Sequence, residues 1–150
     1  MIVALQASGG AAPSAALAVE FVIGRVLFSV MFIMSGIQHL TNVQMMSQYA
    51  ASQKVPAPSV AVSVTGLMLL AGGLSILLGI QVQVGTALLV VFLIPTAFVM
   101  HRFWGIADPM QAAVQRAHFM KNITMAGAAL LICYFATVAP GAWVYVVGGR

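Results

Sequence analysis

The sequence predicts an all-α, polytopic membrane protein: a four-helix bundle with short interfacial helices in its first and third loops. Four apolar stretches, at residues 19–40, 60–80, 84–101 and 120–138, are each near the ~20 residues that a helix needs to cross a bilayer. Charged residues make up 5% of the 150 residues and hydrophobic residues 62%. A water-soluble domain cannot cover its surface with so few charges. We therefore expect one transmembrane domain over residues 1–150, with no separate soluble module.

Both longer loops carry helical patterns of their own. In the first loop, apolar residues recur at helical spacing between Val43 and Tyr49, beside glutamines. In the third loop, Asp108 and Pro109 form a helix start, because Asp caps a helix and Pro suits its first turn. Residues 110–117 are half polar, which predicts a short helix resting on the membrane before the fourth span.

The middle two spans are expected to pack closely. Residues 81–83 form the whole polar link between them, so the two helices must be antiparallel neighbours. The second span carries a stripe of mostly small residues, which favours close packing inside the bundle over a dimer interface. The stripe comprises Thr65, Met68, Gly72, Ser75 and Gly79.

The distribution of basic residues predicts the orientation. Four spans place both termini on one side of the membrane, called side A, and the first and third loops on the other, side B. Side B receives Lys54, Arg102, Arg116 and Lys121, whereas side A has Arg25 and Arg150. Because cytoplasmic loops carry an excess of Lys and Arg, side B is predicted to be cytoplasmic.

A group of polar and aromatic residues is expected to meet at side B, where the helix ends converge. Its members are His39, His101, Arg102, Trp104, His118, Lys121 and Asn122. Such a rim on an apolar bundle suits the head of a quinone or a lipid, since imidazoles donate hydrogen bonds to carbonyl oxygens. We expect an opening there into an apolar interior. Simple anchoring at the interface explains the same residue types, and both interpretations stay open.

Arg25 is the other candidate binding residue, because a cation inside a span marks a functional site by default. It shares one face of the first helix with Ser29, Phe32, Gly36 and His39, and this mixed face is expected to look into the bundle. The alternative is that Arg25 extends along the helix to reach side A.

Several chemistries are disfavoured. No two histidines stand four residues apart, so no metal site is predicted. Six Lys and Arg residues are too few to suggest nucleic-acid binding. The single cysteine, Cys133, excludes a dithiol pair within the chain. No nucleophile–base constellation is present, so no catalytic residue is assigned and a stand-alone enzyme is the least favoured class.

Several short pieces between Gly24 and Leu131 form a pattern that is specific only in its order and spacing. They are Gly24-Arg25-Val26-Leu27 with Phe32, Ser35 and Gly36; Tyr49-Ala50; Val55-Pro56-Ala57-Pro58; Gly72-Gly73 with Gly79; His101-Arg102-Phe103-Trp104; Asp108-Pro109; and His118-Phe119-Met120-Lys121-Asn122. In this pattern the chain resembles the DoxX family of small bacterial and archaeal four-helix membrane proteins. The resemblance implies a bacterial inner-membrane protein, and the orientation above then makes both termini periplasmic. Family members often carry a glutamate in the second span, three residues after a glycine, where this chain has Leu69 after Gly66.

Three functions remain open. The resemblance implies an accessory membrane subunit of a quinone-linked oxidoreductase or another membrane complex, with protein partners and a non-covalently bound quinone as the candidate cofactor. A structural small subunit without a site of its own is the second, and Leu69 favours it. The third is a small-molecule or lipid carrier, although such proteins usually place ionisable groups near the midplane, which these spans lack.

Overall fold

A computed structural model describes residues 15–138, which form five helices and no strand. They are α1 (Ala15–Thr41), α2 (Val43–Ser52), α3 (Pro58–Leu78), α4 (Val82–Met100) and α5 (Pro109–Val138). All except α2 are long and apolar enough to cross a membrane, which confirms the four-helix membrane architecture. Arg150, used above to predict the orientation, lies outside the described residues.

The four long helices pack as neighbours in the order α1, α3, α4, α5, and α2 lies mainly against α3. Large apolar side chains on the outer faces, such as Leu27, Leu67, Val91 and Leu131, are exposed in the isolated chain. In a bilayer these faces contact lipid tails, and van der Waals packing between the helices holds the bundle together. Phe32, Leu69, Ile76, Leu89 and Leu93 fill its interior.

Glycines permit the closest helix contacts. A Cβ added at Gly36 of α1 would lie 2.8 Å from the carbonyl oxygen of Gly66 in α3. On the other side of α3, a Cβ at Gly72 would lie 3.0 Å from the carbonyl oxygen of Gly85 in α4. Backbones approach this closely only where side chains are absent. The expectation that the small-residue stripe packs inside the bundle is therefore confirmed at Gly72.

The third loop differs from its expected form. Residues 110–117 are helical, but they are continuous with the fourth span, so that α5 is a single helix of 30 residues. Asp108 caps it as predicted, since its Oδ1 accepts a hydrogen bond from the Gln111 backbone N–H at 2.7 Å. Between Pro109 and Gly127 no glycine or proline interrupts the chain, so the backbone has no reason to break where the surface polarity changes.

Candidate functional site

A cavity of about 630 Å³ opens at the side-B end of the bundle. All five helices contribute to its wall, and its depth reaches the buried side chains of Phe32 and Leu69. Most of the lining is apolar, with methionines, Phe92 and aliphatic residues around a few polar groups. This combination of an apolar wall and few polar groups is typical of small-molecule sites.

Helices α1 and α5 flank this cavity on opposite sides. Within residues 15–138 these two helices form no extensive contact with each other, although each packs against its neighbour in the row. Residues of both helices line the cavity, Phe32 and His39 from α1 and Lys121 and Asn122 from α5.

His39 is held in the cavity wall by two contacts. Its Nδ1 lies 2.7 Å from the backbone carbonyl oxygen of Ser35, one turn earlier in α1. Its ring also meets the ring of Phe92 edge-on, with centroids 5.8 Å apart. Gly66 makes room for it, because a Cβ there would lie 2.9 Å from the Cβ of His39. The imidazole is therefore fixed in orientation by α1, α3 and α4 together.

Asn122 supplies an amide to the same cavity from α5. Its side chain is 5% exposed. It forms no hydrogen bond with any residue in the described part of the chain. The fully buried polar atoms without a partner in residues 15–138 are Ser29 Oγ and Thr86 Oγ1, and the Asn122 amide is not among them. The amide is therefore accessible from the cavity, where it can donate and accept hydrogen bonds.

His101, directly after α4, lines the cavity and meets two residues of α5. Its Nδ1 donates a hydrogen bond to Oε1 of Gln115 at 3.0 Å, and its ring stacks on that of His118 with centroids 5.1 Å apart. Burial lowers the pKa of His101 below the ordinary 6.5, and the nearby His118 and Lys121 lower it further, against the opposing effect of the Gln115 hydrogen bond. The lowered pKa favours the neutral form of the His101 ring.

The other predicted rim residues divide among different surroundings. Lys121 lines the cavity and is exposed, whereas His118 is exposed and stacks on His101 without lining the cavity. Arg102 lies in a shallower neighbouring depression of about 380 Å³, against α2 and the start of α5. Trp104 packs edge-on against Phe103 and Phe119 and does not line the cavity.

Arg25 lies at the opposite end of the bundle. With 1.5 Å of rise per residue, it is about 21 Å along α1 from His39. Its Nε donates to the carbonyl oxygen of Ile76 at 3.1 Å and its Nη2 to that of Leu77, the last carbonyls of α3. It is 5% exposed, and Ser29, Phe32 and Gly36 on the same face are also buried. The bundle-facing interpretation is confirmed, and Arg25 caps α3 at the side-A end of the bundle.

The comparison with known families matches the DoxX model to residues 21–102, more than half of the chain. The chain belongs to the DoxX family. The match covers α1 to α4 and ends just after His101, so it includes most of the cavity wall. No curated protein and no solved structure matches the chain.

In this DoxX protein the cavity wall is apolar where the resemblance led us to expect a glutamate. Leu69 is fully buried and lines the cavity at its deep end. The polar groups that remain are His39, His101, Lys121 and Asn122 near the mouth, together with hydroxyl groups in the wall. The charged, imidazole and amide groups of the wall therefore lie near the side-B end, and no carboxylate among residues 15–138 lines the cavity.

Helix α2 contributes residues that the sequence did not indicate as part of a site. Tyr49 lines the cavity, and its hydroxyl donates a hydrogen bond to the carbonyl oxygen of Met100 at 3.3 Å. Met45, Met46 and Ala50 complete this part of the wall. Tyr49 thus joins α2 to the end of α4 across the mouth. Its helical spacing was visible in the sequence, but the neighbour that it would face was not.

Proposed function

We propose that this DoxX protein is an integral membrane subunit that holds the head of a quinone non-covalently in the cavity, in association with an oxidoreductase. The observation that carries the proposal is the apolar cavity itself, whose wall presents the amide of Asn122 and the ring of His39 as polar groups. A quinone head is flat and apolar with polar oxygen atoms at its edges, which fits this combination. When bound, a quinone carries electrons and protons between partners; this chain contributes binding and orientation.

The proposal includes a place in the cell. The excess of Lys and Arg on side B supports a bacterial inner-membrane protein with side B in the cytoplasm and both termini in the periplasm. The mouth of the cavity would then face the cytoplasmic leaflet. A protein partner on that side would meet the exposed residues Arg102, Lys121 and His118.

Quinone content of the purified protein tests this function. We expect protein purified from its native membranes in mild detergent to release close to one isoprenoid quinone per chain on solvent extraction. Thr96→Trp should lose most of it, because Thr96 lies in the cavity wall and an indole there occupies the space of the head. Liquid chromatography of the extract gives the ratio, and the copurifying proteins identify any oxidoreductase partner.

The matched control places the same side chain on the other face of α4. Val91 is 61% exposed and lies outside the cavity, so Val91→Trp should retain the parent's quinone content. Equal quinone in the parent and Thr96→Trp would show that the quinone comes from the surrounding lipid, and would contradict the proposal.

A structural subunit without a ligand is the second candidate, and Leu69 favours it. A fully buried leucine in the cavity wall offers no proton-accepting group at mid-depth. This alternative predicts that partner proteins copurify with the chain. It also predicts that the parent protein contains no more quinone than the Thr96→Trp variant. The same extraction therefore separates the two functions.

A further inference from the structure

We propose that the cavity binds the hydroquinone form of its ligand in preference to the quinone form, with His39 Nε2 accepting a hydrogen bond from a ligand hydroxyl. This inference rests on the proposed function, since it concerns the ligand of the same cavity. The inference goes further in two respects. It specifies the redox form of the ligand head that the cavity prefers, and it names the atom of the wall that distinguishes the two forms.

The contact with Ser35 decides which ring nitrogen of His39 carries the proton. A backbone carbonyl oxygen can only accept a hydrogen bond, so Nδ1, 2.7 Å away, must be the N–H donor. In a neutral imidazole the other nitrogen then presents a lone pair. Nε2 forms no hydrogen bond with any residue from 15 to 138. The cavity wall therefore contains an acceptor that no other residue of this range occupies.

The two forms of the head meet this acceptor differently. A hydroquinone presents O–H donors at the ring edge, whereas a quinone presents only carbonyl acceptors there. A quinone carbonyl oxygen and Nε2 are both acceptors, so they form no hydrogen bond with each other. Placing them face to face in an apolar cavity leaves a lone pair on each atom without a donor, which is unfavourable. Asn122 and Lys121 do not reverse this preference, because a quinone carbonyl oxygen and a hydroquinone hydroxyl oxygen can both accept a hydrogen bond from them.

The rest of the wall suits a flat six-membered ring in either form. Phe92 contacts the His39 ring edge-on, and Met31, Met46 and Met100 line the cavity nearby. Methionine side chains are flexible and polarisable, so they can pack against a flat ring of either form. The polarity of the hydrogen bond at His39 is therefore the feature that we expect to discriminate between the two forms.

Equilibrium dialysis with two small probes tests the inference on the purified protein in detergent, without oxygen. The probes are tetramethyl-1,4-hydroquinone and tetramethyl-1,4-benzoquinone, which differ only in their edge oxygens. We expect the hydroquinone to bind about tenfold more tightly to the parent protein. Thr96→Trp protein at the same detergent concentration serves as the control for partitioning into micelles.

A variant and a spectroscopic measurement assign the preference to His39. In His39→Phe the ratio of the two affinities should fall to near one, since the apolar ring has no acceptor. If that variant fails to fold, nitrogen-15 NMR of the parent decides the same point, because the shifts of the two ring nitrogens distinguish the tautomers. The account requires the proton on Nδ1.

The possible outcomes separate this inference from the proposed function. Tighter binding of the hydroquinone to the parent, with the proton on Nδ1, supports the inference. Equal or tighter binding of the benzoquinone, or a proton on Nε2, overturns it and leaves the quinone-binding function standing. If neither probe binds above the level of Thr96→Trp, both the inference and the proposed function are wrong.

Discussion

Gly36→Ala is expected to destabilise the bundle more than any other single methyl addition to α1. The new Cβ would lie 2.7 Å from Leu70 Cγ, 2.8 Å from the Gly66 oxygen and 2.9 Å from the Leu70 nitrogen. Two of these atoms belong to the α3 backbone, so α1 must move away. We expect a loss of about 3 kcal/mol in the free energy of unfolding, measured by denaturant titration in detergent micelles.

Gly24→Ala is the matched control on the same helix. A Cβ at Gly24 meets nothing within 4 Å, so this change should leave stability unchanged or raise it slightly, because alanine favours a helix. Gly36→Ala should also weaken ligand binding, since the α1–α3 contact places His39 against Gly66. Equal stability of the two variants would show that α1 and α3 are not in close contact at Gly36.

Arg25→Leu is expected to have the second largest effect. It removes two hydrogen bonds to the Ile76 and Leu77 carbonyls and a positive charge at the C-terminus of α3. The Ile76 carbonyl keeps a hydrogen bond from the Gly79 N–H at 3.3 Å, but the Leu77 carbonyl loses its charged donor. We therefore expect a loss of about 2 kcal/mol in the free energy of unfolding. Arg25→Lys should fall between the parent and Arg25→Leu, because lysine keeps the charge but not the two-donor geometry.

The control for the loss of charge is Arg116→Leu. Arg116 is exposed on α5 and forms no ion pair or hydrogen bond with another residue of the described chain, so its removal should leave thermal unfolding unchanged. If Arg25→Leu unfolds at the same temperature as the parent and Arg116→Leu, then Arg25 does not cap α3.

Much of the fold was predictable because hydropathy and local chemistry report it directly. Length and apolarity place the four spans within a few residues, and Asp108 with Pro109 marks the start of α5. The break expected near residue 117 does not exist, because amphipathic and fully apolar segments can share one unbroken helix. Surface polarity indicates where a helix lies relative to the membrane, not where it ends.

The site was only partly predictable, for a related reason. Helix directions bring His39, His101 and Asn122 to one end of the bundle, as the sequence indicated. The partners of Arg25 are backbone carbonyls of α3, which carry no side-chain signature in the sequence. Tyr49 lines the cavity because α2 packs beside the end of α4, whereas Trp104 packs in an aromatic cluster outside the cavity. Both depend on neighbours that periodicity alone does not identify.

Photolabelling with an azidoquinone tests most directly whether the cavity is a ligand site. The protein is irradiated with the probe in detergent micelles, and the labelled peptides are mapped by mass spectrometry. The account predicts label on the cavity-lining segments of α2 and α4, around Tyr49 and Thr96, displaced by excess tetramethylhydroquinone. Label confined to outward-facing residues such as Leu130 and Leu131, and not displaced by that competitor, would contradict it.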